Sequence, residues 1–164
     1  MTAYEPAAWH DLFVTAGGSA AALTGLIFVA VSINLREIIA SPHLPVRAGE
    51  TLSILVALLL LSLFLLAPGQ GRIVLGTEIL ALGAVMASVL LAVRMRLRRA
   101  PGDSVWWTVV PVTTMLAATI PMIVAGGTLL AAAGGGLYWL LPALVFGFAG
   151  SVFNAWILLI EILR

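Results

Sequence analysis

The stretch LSILVALLLLSLFLLAPGQGR, from Leu52 to Arg72, carries no charge before its last residue and closes on a Pro-Gly-Gln-Gly turn. Its apolar part, Leu52 to Ala67, lacks the strict alternation of apolar and polar residues that a β-barrel strand would show. In hydrocarbon a helix satisfies its own backbone hydrogen bonds, and about 20 mostly apolar residues suffice to cross the ~30 Å core of a bilayer. Four more apolar stretches surround this one: Leu12 to Leu35, Ile73 to Val93, Val105 to Ala133 and Leu137 to Leu163. The predicted architecture is an all-α, polytopic membrane protein with five transmembrane helices, one domain over residues 1–164.

Composition agrees. Of the residues 62% are hydrophobic and 9% charged, against roughly half and a quarter in soluble globular chains, so no water-soluble domain fits between the spans. The longest connections predicted are Arg36 to Thr51 and Arg94 to Ser104. Cysteine is absent, which excludes disulfides, thiolate metal ligands and cysteine nucleophiles. The residues before Leu12 include Glu5, His10 and Asp11 but no Lys or Arg, unlike the basic flank of a cleavable signal peptide, so the first stretch is expected to remain.

All eight basic residues are arginine. Apart from Arg72 they follow the first span (Arg36, Arg47), the third (Arg94, Arg96, Arg98, Arg99) and the fifth (Arg164), all on one side. The positive-inside rule makes that side cytoplasmic, with the N-terminus outside and the C-terminus inside. The same charges fit four spans with a re-entrant first segment; the length of Leu12 to Leu35 favours a full crossing. Aromatic residues Tyr4, Trp9, Trp106, Trp107, Tyr138 and Trp139 fall at span ends, where an amphipathic ring is favoured, whereas Trp156 lies deeper and reads as a packing residue.

The first helix carries Gly17, Ala21 and Gly25 at four-residue spacing, with Thr24, Ser32 and Asn34 near them. Small residues let helix backbones approach closely, so this seam is a packing face, an oligomer contact or a pore lining. The fifth helix lines Gly147, Ser151, Asn154, Leu158 and Glu161 along one face, where the Asn154 amide needs a partner and Glu161 suits an interfacial ion pair. On the third helix Glu78 is an intramembrane ionisable residue six positions beyond Arg72, a candidate for pairing with it, and Thr77, Ala81, Ala84 and Ser88 read as a further seam. Pro111, Pro121, Gly126 and Gly127 are expected to break and kink the fourth helix. The Arg94, Arg96, Arg98 and Arg99 cluster sets topology and attracts anionic lipid; it does not read as a nucleic-acid patch.

Motifs for chemistry are missing: no Walker-type loop, no His-Glu-x-x-His, no paired midplane acids, and His10 and His43 lie on opposite sides. No catalytic residue, metal site or cofactor is predicted.

Tyr4-Glu5-Pro6, Trp9-His10-Asp11-Leu12-Phe13, Phe28 to Leu35, Pro68-Gly69-Gln70-Gly71, Gly134 to Trp139, Asn154-Ala155-Trp156 and Glu161 to Arg164 together resemble a group of small actinobacterial membrane proteins commonly labelled modulator of FtsH protease. The resemblance covers nearly the whole chain and carries no defining catalytic or binding motif. It implies a protein of the bacterial cytoplasmic membrane that touches a membrane-anchored, ATP-dependent zinc protease through its helices or cytoplasmic loops. The better-known FtsH modulators have seven spans or a large soluble domain, and this chain has neither. The functional expectation is a non-enzymatic protein working by helix contacts, embedded in lipid and forming homo-oligomers. The alternative is a homo-oligomeric channel with the first helix lining the pore: Thr24 to Leu35 resembles the pore helix of Orai-type calcium channels, with Ile33 near the place of that family's selectivity glutamate.

Overall fold

In a computed structural model, which describes residues 2–41, 43–96 and 106–162, the protein is a helical bundle, with no strand among the described residues. Two short 3-10 turns lead into α1 (His10–Ile33); α2 (Leu35–Ala40), α3 (Leu44–Leu66), α4 (Arg72–Arg96), α5 (Trp106–Ala131) and α6 (Leu140–Ile162) follow. Five of these, all except α2, are long and apolar enough to cross a membrane. The chain is therefore a polytopic helical membrane protein by length and composition.

α1 runs for 24 residues without reversal, about 36 Å at 1.5 Å per residue, so the re-entrant alternative is set aside. The second span differs most from expectation. It begins at Leu44 rather than Leu52, and the segment expected as a loop folds into α2 and the first two turns of α3. Pro45 suits a first helical turn, and Leu44 and Ala48 pack with Ile38 and Leu158, so the helix gains buried surface by starting before its charges. The fourth span is also unbroken: helix continues through Pro121, Gly126 and Gly127. Arg98, Arg99 and Arg164 lie outside the described residues, as do the side chains of Arg96, Trp106, Trp107, Pro111 and Glu161.

α4 lies along α5 and α1 along α3, while α3 and α6 join the two pairs. Glycines set the closest approaches. At Gly126 of α5 an added Cβ would fall 2.6 Å from the Leu80 backbone nitrogen and 2.8 Å from the Gly76 carbonyl oxygen of α4, so this glycine is a contact point and not a helix breaker. Gly83 faces Ile123 in the same way, Gly17 of α1 faces Ser62 of α3, and Gly147 of α6 faces Leu58 of α3. Around these points Phe13, Leu58, Leu61, Ile79, Met122 and Leu129 form the main core.

The expected α1 and α4 seams are largely turned outward. Gly17 is buried, but Gly18, Ala21, Ala22, Gly25 and Ser32 are exposed, and so are Thr77, Ala81, Ala84 and Ser88. The faces that pack lie opposite: Phe13, Ala16, Ala20 and Ile27 on α1, and Leu75, Gly76, Ile79 and Gly83 on α4. Trp156 is another correction. At two residues, or about 200°, from buried Asn154 it points away from the bundle and is 58% exposed, beside Phe153.

One end of the bundle is tied by aromatic and glycine contacts. Trp9 meets the Tyr138 ring edge-on at 4.9 Å, and the Trp139 indole N–H donates to the Gly134 carbonyl at 2.8 Å. Gly134, Gly135 and Gly136 have φ of +89°, +108° and +53°, a run of left-handed backbone that suits glycine and makes the expected tight turn between α5 and α6.

The two kinds of glycine give opposite expectations for alanine. Gly126→Ala should lower unfolding stability by about 1–3 kcal/mol, because the backbone of α4 must move. Gly25→Ala, with nothing within 4 Å, should be neutral or stabilising by up to about 1 kcal/mol. Equilibrium unfolding of both variants in mixed micelles checks this.

A buried ionic cluster and polar stripe as the candidate functional site

Charge and burial coincide at the end of the bundle where α3 begins. Arg47, Glu50 and Thr51 sit at i, i+3 and i+4 and so share one helix face. Arg47 is 5% exposed, Glu50 7% and Thr51 fully buried. The Arg94 guanidinium, near the last turn of α4, donates to Glu50 Oε2 in an ion pair. Arg47 adds a second favourable charge beside the carboxylate. Glu50 lies five residues from Leu55, the middle of α3, or ~7.5 Å along the axis, so its charge is held below the helix end. Isolated charges are costly at such depth, and pairing with arginine is what makes this one tolerable.

The sequence reading places Arg47 and Glu50 in a cytoplasmic loop, Arg36 to Thr51, and Arg94 in a cytoplasmic basic cluster. The structure instead turns Arg94 inward to Glu50. The missed signal is the Arg47-x-x-Glu50-Thr51 spacing, which puts opposite charges and a hydroxyl on one helical stripe directly before an apolar run.

The predicted α6 stripe is brought together. Gly147, Ser151, Asn154 and Leu158 are all buried, facing α3. Gly147 meets Leu58, and with α3 and α6 antiparallel, seven residues down each helix sets Asn154 level with Thr51. The Asn154 Oδ1 and Ser151 Oγ atoms are buried without a hydrogen-bond partner among the described residues. Ser151 also lines a cleft of about 270 Å³ with Leu23, Ile27, Ala30, Leu55 and Ala155, where α1 and α6 diverge.

The remaining predicted residues lie apart. Thr24 and Ser32 donate to the carbonyls of Ala20 and Phe28, each at 2.7 Å, and Asn34 donates to the Ala30 carbonyl at 2.9 Å where α1 gives way to α2. These hydroxyls and the amide are satisfied within their own helix. Arg72 does not pair with Glu78; it donates to the Leu129 carbonyl at 2.8 Å and ties the start of α4 to the end of α5. Six residues apart on a helix is about 120° round the axis and ~9 Å along it, so the two side chains start from different faces. Glu78 is half-buried, with Oε2 unbonded.

Comparison with protein-family models, with curated proteins and with solved structures gives no match.

The cluster supplies one fixed ion pair between α3 and α4 and a row of small polar groups between α6 and α3. Glu50→Gln or Arg94→Gln should each cost about 3–5 kcal/mol, because the remaining charge is left buried. The double variant should cost less than the sum, a coupling that a double-mutant cycle of unfolding in micelles measures. Ser151→Ala, which removes a buried unbonded hydroxyl, should be neutral or stabilising by up to about 1 kcal/mol in the same assay.

Proposed function

We propose that this protein resides in the bacterial cytoplasmic membrane, has no catalytic activity, and works by lateral contact of its helices with another membrane protein. On the sequence resemblance, the partner is a membrane-anchored protease of the FtsH type. The observation that carries the reading is the exposure of two small-residue stripes, Gly18, Ala21, Ala22, Gly25 and Ser32 on α1 and Thr77, Ala81, Ala84 and Ser88 on α4. Lipid tails gain little by packing on such stripes, whereas a second helix gains close backbone approach and the dispersion contacts that come with it. Gly18 and Gly25 have nothing within 4 Å of an added Cβ, so both are open to a neighbour.

A homo-oligomer assembled through the α1 stripe, conducting ions or small solutes, is the second reading, favoured by Ser32 lying on that exposed face. The positive-inside orientation puts the Glu50–Arg94 pair at the cytoplasmic end, within reach of a partner's cytoplasmic part.

The variant Ala21→Leu/Gly25→Leu tests the proposal in native nanodiscs. It should lose a partner that co-purifies at fixed stoichiometry with the parent chain, with unfolding stability unchanged. Retention of every partner by this variant and by Ala81→Leu/Ala84→Leu would overturn the reading. A symmetric homo-oligomer with cation flux in liposomes would replace it with the channel.

A further inference from the structure

At the opposite end from the ionic cluster, the first residues of the chain and the α3–α4 turn enclose a half-open cavity of about 410 Å³. That volume lies in the range of small-molecule sites. Its apolar walls include Phe64, Leu65, Pro68 and Leu75, and its polar side chains are those of His10 and Gln70. Gln70 Oε1 is buried and has no hydrogen-bond partner among the described residues. Such an acceptor costs free energy until a donor reaches it.

The surroundings call for a donor as well. α3 ends at Leu66, so its last carbonyls are acceptors at the negative end of a helix dipole. The Ala67 N–H donates to the Phe64 carbonyl at 3.3 Å, and no turn hydrogen bond among the described residues occupies the carbonyls of Leu65 or Leu66, both lining residues. Glu5 and Asp11, both exposed, flank the lining segment Pro6 to His10. No Lys or Arg lines the cavity; Arg72 is committed to the Leu129 carbonyl. The first turn of α4, whose free amides would favour an anion, contributes no lining residue before Leu75.

From the buried Gln70 acceptor, the open carbonyls at the end of α3 and the two flanking carboxylates we infer that this cavity binds a primary ammonium group. The ligand is a small amine or the head group of an aminophospholipid. An ammonium brings three donors and no acceptor, which matches the oxygen acceptors at the α3 end of the cavity. A quaternary ammonium of the same charge donates nothing, so the site discriminates between the two by hydrogen bonding.

The test is native mass spectrometry of the full chain in micelles doped with equal dioleoyl-phosphatidylethanolamine and dioleoyl-phosphatidylcholine, with and without free ethanolamine. The expected result is retention of the ethanolamine lipid over the choline lipid, with Gln70→Leu weakening it about tenfold. Ala7→Phe, which fills the mouth from an exposed position, should abolish it without touching an acceptor. Displacement by free ethanolamine identifies the amine alone as sufficient; retention in its presence identifies the lipid. Equal retention of both lipids by the parent chain, or a preference unchanged in both variants, overturns the inference.

Discussion

Helices in hydrocarbon have no water to be driven from, so what holds this bundle together is how closely their backbones approach. Three of the helix pairings are built on that constraint. α5 meets α4 at Gly126, where not even a methyl group fits; α1 meets α3 through Gly17 against Ser62; α6 meets α3 through Gly147 against Leu58. α3 takes part in two of these contacts, and its apolar window is half buried, more than that of any other span. Large side chains such as Phe13, Leu61 and Met122 fill the space that the glycines leave between axes.

The pairing of α3 with α4 has a different basis. No glycine sets a close approach between them, and they are joined instead at their two ends. At one end is the Pro68–Gly71 turn, four residues that force the helices to be antiparallel neighbours. At the other is the ion pair between Glu50 and Arg94. A salt bridge is a weak source of net stability but a strong source of specificity, since any register that separates the charges leaves both in a poor solvent. Between those ends Ile54, Leu90 and Met115 form a small apolar cluster that also brings in α5.

Helix class and span number were legible because hydropathy reports them directly: five apolar runs, four of them longer than the about 20 residues a bilayer needs, with turns where Pro and Gly gather. The α6 stripe was legible for a related reason, since Gly147, Ser151 and Asn154 stand out against an otherwise apolar helix and their spacing fixes a common face. Three features were not. Hydropathy ends a span at its first charge, so Arg47 and Glu50 were assigned to a loop, although paired charges can continue a helix inward. Small residues mark faces suited to packing but do not say which are used: Gly76 and Gly83 pack while Ala81 and Ala84, on the same helix, do not. Glycine is ambiguous for the same reason, and Gly126 reads as a helix breaker until the neighbouring backbone is in view.

That last ambiguity bears on what the outward stripes mean. A residue such as Gly18 or Gly25 in an exposed helix costs up to about 1 kcal/mol relative to alanine, and nothing inside the bundle offsets it. The inward glycines are matched by contacts with a neighbouring helix, so the rule that explains them leaves the outward ones unexplained within a single chain. Two stripes on helices from different pairs, α1 from the α1–α3 pair and α4 from the α4–α5 pair, extend this point. They are different surfaces, so contact between the α1 stripe of one copy and the α4 stripe of another would be heterologous and would have to close into a ring or run on as a filament. A distinct partner on either stripe removes that requirement, because it caps the face and leaves the other free. An assembly of bounded size follows either from a foreign neighbour on one stripe or from a two-fold contact of one stripe with its own copy.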